Sequence, residues 1–115
     1  MRFLVMVKGD DPAGTSGGPS AELLEEMAKF NEQLLADGRI VLVEGLTSSA
    51  DGVRVVFDGD AEPKLIDGPF AETKELVGGF WVLNGESLED VIELMKGLPN
   101  PAEQVGTVEI RPIAE

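Results

Sequence analysis

Apolar and polar positions fall into distinct blocks along this chain. Residues 2–8 hold a solid apolar run between Arg2 and Lys8, which predicts a strand buried on both faces. Residues 9–19 are rich in Gly, Pro, Ser and Asp and read as a connector. Leu23, Met27, Phe30 and Leu34 then recur at helical spacing, with Leu24 and Leu35 alongside. Ser20 suits the N-cap of that helix, Glu22 and Glu25 favour its first turns, and Gly38 is a natural stop.

Residues 39–46 predict a second strand, in which a period of two puts Ile40, Leu42, Glu44 and Leu46 on one face. Residues 47–52 turn the chain. Residues 53–57 and 64–67 then form a hairpin around a turn at 58–63. Residues 79–83 make a further apolar strand. Leu88, Val91, Ile92 and Met95 mark a second helix, opened by Ser87 with Asp90 three residues on, a variant capping box, and ended by Gly97 and Pro99. Residues 100–104 connect to a last strand over 105–113, where Pro112 indicates a sheet edge.

The order is an α+β, ferredoxin-like βαββαβ pattern with extra short hairpin strands, in one domain spanning 1–115. Right-handed crossovers place both helices on one face of the sheet. The other face is bare, yet the runs at 3–7 and 79–83 are apolar at successive positions. An exposed apolar sheet face marks an interface, so the pattern predicts a homodimer formed through the open face.

Composition narrows the chemistry. The chain of 115 residues has no Cys, His or Tyr. That removes thiolate sites, disulfides, the commonest general base and metal ligand, and a phenolic acid. A formal net charge of −13 repels phosphate backbones and anionic membranes, so neither nucleic acid nor membrane is expected as a partner. The N-terminal apolar run is too short for a signal segment or a membrane span, and a cytoplasmic protein is the expectation. No cofactor and no metal are expected. The loop at 9–19 lacks the Gly-Lys-Ser/Thr ending of a phosphate loop. Residues 58–69 fail as a calcium loop because Pro63 and Pro69 occupy the sixth and twelfth places.

The most distinctive stretch is Asp67-Gly68-Pro69-Phe70-Ala71-Glu72-Thr73-Lys74-Glu75, followed by Leu76-Val77-Gly78-Gly79-Phe80-Trp81. Asp, Gly and Pro are turn residues, and Phe70 would anchor that turn in the core. Gly78 and Gly79 permit close backbone approach. The residues alone leave two readings open: a rigid turn with solvated charges, or a pocket rim where Asp67, Glu72 and Lys74 meet a polar ligand.

The run of nine from Asp67 to Glu75, with Gly78-Gly79-Phe80 after it, resembles the signature of the DGPF branch of the YCII-related family. The N-terminal strand, Gly38, Glu44-Gly45-Leu46 and the C-terminal Val108-Glu109-Ile110-Arg111-Pro112 are similar to the corresponding parts of that family. The resemblance implies a ferredoxin-like fold that pairs into a dimeric α/β barrel. The stricter YCII proteins carry a catalytic His–Asp pair. This chain has no histidine, and Asp37 alone does not restore that pair. The resemblance also implies a link to extracytoplasmic-function sigma factors, beside which similar proteins are encoded.

Two functions follow. The first is a non-catalytic dimeric module that binds a small molecule or a sigma-factor-related protein partner, with a pocket lined by Glu44, Asp67, Glu72, Lys74, Trp81 and Arg111. The second is a cofactor-independent enzyme, isomerase- or oxygenase-like, with Glu44 as carboxylate base made more basic by desolvation and Lys74 or Arg111 stabilising an oxyanion. Against the second stands a purely structural role for Glu44, an ion pair to Arg111 or Lys74 across the sheet.

Overall fold

The computed structural model describes residues 1–9, 20–59, 61–70, 76–100 and 106–115. Its elements run β1 (Arg2–Gly9), α1 (Ala21–Ala36), β2 (Ile40–Gly45), a short 3₁₀ turn (Ser49–Asp51), β3 (Val53–Val56), β4 (Lys64–Asp67), β5 (Leu76–Asn84), α2 (Leu88–Met95) and β6 (Thr107–Pro112). Strands β2, β5, β1 and β6 lie in that order in a four-stranded sheet, and β3 and β4 pair as a separate two-stranded ribbon. All the pairings are antiparallel. This α+β arrangement is consistent with a ferredoxin-like fold.

The helix ends form as their residues dictate. Ser20 Oγ accepts from the Leu23 N–H (3.1 Å), and Ser87 Oγ accepts from the Asp90 N–H (3.1 Å). The Asp90 carboxylate in turn accepts from the Glu86 N–H (3.0 Å), so the box closes one residue earlier than its usual form. Gly38 has φ +74° and ends α1, as its position predicts.

Sheet register decides which side chains enter the core. Phe3, Val5, Trp81 and Leu83 are buried together with Leu34 of α1 and Val91 and Met95 of α2. Met27, Phe30, Ile40, Val43 and Ile110 pack against them. Leu24 and Leu35 fall off the helical stripe and are exposed. Phe30 meets Trp81 edge-on, with ring centroids 6.4 Å apart.

The opposite face carries Leu4, Met6, Leu42, Phe80 and Val82. These positions alternate with the buried ones and align across β2, β5 and β1. No described helix covers this side, and Leu42 is exposed while the other four are half-buried.

A register shift between Ile40 and Leu42 alters the strict alternation expected for residues 39–46. Ile40 pairs with Leu83 and packs on the core, whereas Leu42 pairs with Val82 and Glu44 with Phe80. A bulge at Val41 therefore separates Ile40 from Leu42 and Glu44, which the sequence puts on one face. A second shift lies between Val7 and Lys8, where Gly78 is the unpaired residue of β5. Edge placement of the strand bearing Pro112 agrees with β6 at the end of the sheet order. No described helix is long and apolar enough to cross a membrane.

Candidate functional site

A cleft of about 390 Å³ opens where the ribbon meets the main sheet. Its lining comes from three local features. Leu46 follows β2 and is held by its N–H donating to the Gly78 carbonyl (3.0 Å). With Leu76 and Val77 at the start of β5 it supplies apolar surface. Leu46 lies two residues beyond Glu44, and Val77 pairs with Lys8 of the Met6 face, so both belong to the open side of the sheet.

The 3₁₀ turn supplies hydroxyl groups. Thr47, Ser48 and Ser49 line the cleft. Ser48 Oγ accepts from the Ala50 N–H (3.1 Å) and Ser49 Oγ from the Phe70 N–H (3.3 Å). The third feature is the base of the ribbon. Arg54 of β3 lays its guanidinium over the Phe70 ring, 3.9 Å from the centroid, a cation–π geometry. Phe70 also contacts Gly52, where an added Cβ would lie 3.5 Å from the ring.

The turn holding Phe70 in place requires its glycine. A Cβ added at Gly68 would overlap the Ser49 carbonyl oxygen. The Gly68 N–H donates to the Gly52 carbonyl (2.9 Å), which closes the base of the ribbon, and the Gly68–Pro69 bond is cis. Asp67-Gly68-Pro69-Phe70 thus clamps the ribbon against the 3₁₀ turn. Phe70 is half-buried beneath Arg54 and lies outside the cluster of buried residues between sheet and helices. This corrects the expectation that it anchors the turn in the core: the ribbon stands apart from that core as a separate sheet.

Of the candidate site residues singled out from sequence, none of those described lines this cleft. Glu72 and Lys74 lie outside the described residues. Asp67 pairs with Val53 and so shares a face with Val53, Val55 and Leu65. Arg54, its neighbour along β3, points to the other face. Glu44 is exposed on the open side of edge strand β2, without the burial that desolvation requires. Arg111 lies on β6, at the far edge of the sheet. Three strand spacings of about 4.8 Å separate the two, so an ion pair between Glu44 and Arg111 within one chain is not formed.

Trp81 is 2% exposed, and its Nε1–H donates to Asn31 Oδ1 on α1 (2.9 Å). It faces the helices, on the opposite side of the sheet from Phe80. Arg111 donates to Glu109 Oε2 (3.1 Å), and Lys8 to Glu109 Oε1 (2.9 Å). These two hydrogen bonds, that from Lys8 first, hold the Glu109 carboxyl below its ordinary range. The three side chains form a charged border on the β6 side of the open face.

Sequence reasoning missed Arg54. The available signal was a lone cation inside the apolar run Val53-Arg54-Val55-Val56. Among the described residues no group of carboxylates is arranged to hold a metal ion.

A YCII-related domain matches residues 1–115. An uncharacterised protein of Rhizobium meliloti (strain 1021) is 40% identical over 53 residues, which cover 46% of this chain and 43% of that relative. The chain thus spans less than half the length of that curated relative. With the family match covering every residue, the chain belongs to the YCII-related family.

Proposed function

We propose that this protein is a non-catalytic binding module of the DGPF branch. In this reading it works as a homodimer whose open sheet faces close into an α/β barrel. The cleft takes a small, partly apolar ligand carrying an acidic group. The observation that carries the ligand reading is the Arg54–Phe70 pair over a floor of Leu46, Leu76 and Val77.

An aliphatic floor takes the apolar body of a ligand, and a few placed polar groups orient it. The guanidinium has five donors in a fixed fork suited to a carboxylate. The Phe70 ring fixes the plane of that fork in advance, which lowers the ordering cost of binding. Asp51 on the rim disfavours multiply charged anions, so a monoacid is the better fit. The dimer reading is supported by the apolar sheet face that no described helix covers and by the resemblance of residues 67–75.

Titration of benzoate and hexanoate against their primary amides, followed by NMR or calorimetry, tests the ligand reading. The acids are expected to bind at least tenfold more tightly than the amides, and Arg54→Gln to erase that preference. Equal binding of acid and amide, or an unchanged preference in Arg54→Gln, overturns it.

A further inference from the structure

The lining of the cleft is divided by chain segment. Among the described residues, every polar side chain in it comes from residues 47–54: the hydroxyls of Thr47, Ser48 and Ser49, the carboxylate of Asp51 and the guanidinium of Arg54. The aliphatic side chains come from Leu46 and from Leu76 and Val77 at the start of β5. Asp51 and Arg54 are the charged residues of this lining, and their signs are opposite.

The backbone leaves room between the two charges. Asp51 ends the 3₁₀ turn, and Gly52 after it is extended, with φ −96° and ψ 169°. Successive residues of extended chain alternate sides, so Gly52 and Arg54 face Phe70 while Val53 shares the other face with Asp67. Gly52 brings no side chain into the interval between acid and base, and three residues of chain limit that interval to about 11 Å between α-carbons. Among the described residues Asp51 forms no ion pair, with Arg54 or with any other cation. A simple acid seated on Arg54 brings a second negative charge towards the Asp51 carboxylate, which is repulsive. A ligand that also carries an ammonium group turns that repulsion into attraction. The ammonium has three donors, and the hydroxyls at 47–49 add acceptors beside the carboxylate.

We infer that the cleft binds an apolar α-amino acid as its zwitterion, with the carboxylate on Arg54, the ammonium on Asp51 and the hydroxyls of the turn, and the side chain on Leu46, Leu76 and Val77. The inference rests on the acid-ligand reading above and adds a second charged contact to it. Both charges belong at one end of the ligand, because both partners come from one short segment and the aliphatic lining from elsewhere. A cleft of about 390 Å³ lies near the lower end of the range for ligand pockets, about 300–1,000 Å³, which suits a single amino acid.

Leucine and 4-methylpentanoate differ only in the amino group, and leucine and leucinamide only at the carboxyl group. Calorimetric titration of the parent is expected to show leucine binding at least about fivefold more tightly than either analogue. Asp51→Asn is expected to cut the advantage over 4-methylpentanoate below about twofold, and Arg54→Gln to do the same for the advantage over leucinamide. Asp51→Asn should bind 4-methylpentanoate as tightly as the parent does, or more tightly, since a repulsion is removed. Loss of 4-methylpentanoate binding in that variant gives Asp51 a structural role and overturns the inference. Equal affinity of the parent for leucine and 4-methylpentanoate, or a leucine advantage that survives Asp51→Asn, overturns it and leaves the acid reading standing. Equal affinity for leucine and leucinamide, or no binding of any of the three, overturns both. 6-Aminohexanoate, whose charges lie at opposite ends, should gain less than about twofold over hexanoate, and a gain equal to that of leucine overturns the α-amino assignment.

Discussion

Arg39 and Asp90 meet in a two-pronged ion pair, with Nη1 to Oδ2 at 2.6 Å and Nη2 to Oδ1 at 2.9 Å. The pair ties the residue before β2 to the first turn of α2. It joins positions 51 apart in sequence, and Asp90 is already engaged as the cap of its own helix. The Arg39 hydrogen bond, followed by that from the Glu86 N–H, lowers the Asp90 carboxyl to about 2. Its ordinary value is 3.8, so this contribution to stability is complete above that value and is lost as pH falls through about 2. Asp90→Asn should lower the melting temperature at neutral pH and flatten the decline of stability between about pH 4 and 2, measured by calorimetry across pH. Arg39→Lys keeps the charge but not the fork, and should recover only part of the loss.

Gly68 offers a sharper steric test. Its hydrogen faces the Ser49 carbonyl, where a methyl group has no room. Gly68→Ala should cost about 1–3 kcal/mol, read by urea denaturation. Gly45→Ala meets open space and should stay within about 0.5 kcal/mol of the parent.

Trp81 should behave as a core residue and not as a ligand contact. Asn31→Ala leaves its buried indole N–H without the Asn31 acceptor seen here, at a cost of about 1–3 kcal/mol. Trp81→Phe should leave acid binding in the cleft unchanged, because the indole lies on the helix side of the sheet. A matching loss of affinity in Trp81→Phe would place the ligand elsewhere.

Glu44 should carry no structural ion pair. It is exposed, and it is distant from Arg111 on the far strand. Glu44→Gln should change stability by less than about 0.5 kcal/mol, measured by chemical denaturation. A clear destabilisation would restore a structural ion pair, made either with Lys74 or with a second copy of the chain.

Phe80 and Met6 report on the open face. Phe80→Glu puts a charge on the sheet face that no described helix covers, next to Met6. If that face is the dimer contact, the variant should sediment as a monomer at concentrations where the parent is paired, with the helix content of the parent. Burying such an unpaired carboxylate is costly enough to shift association by orders of magnitude.

Periodicity made the frame legible, because each helix and sheet strand must offer one face to the same core. Ser20, Ser87 and Gly38 announce helix ends through local hydrogen bonds and backbone freedom, which depend on a few neighbouring residues. Val41 escaped that logic, since a bulge resets alternation at a single residue and leaves no mark in composition. Phe70 was misread because aromatic character signals burial without naming the partner, and here the partner is Arg54. Asp67 could have been placed more closely: pairing it with Val53 and counting by two sets it opposite to Arg54. Arg39 and Asp90 were beyond reach, because their meeting depends on how α2 packs beside the start of β2.

The pairing of β2 with β5 carries one more consequence. Leu46 already hydrogen-bonds across to Gly78, so these two strands turn into each other at the sheet edge before the ribbon begins. The described residues from Leu46 to Phe70, β3 and β4 among them, are thus inserted between two paired strands, and the described pairings of the four-stranded sheet are made without β3 and β4. Loop length affects closure only weakly, so the segment is modular. Changes within β3 and β4 should therefore reshape the cleft, whose Arg54 they carry, while leaving the four-stranded frame folded.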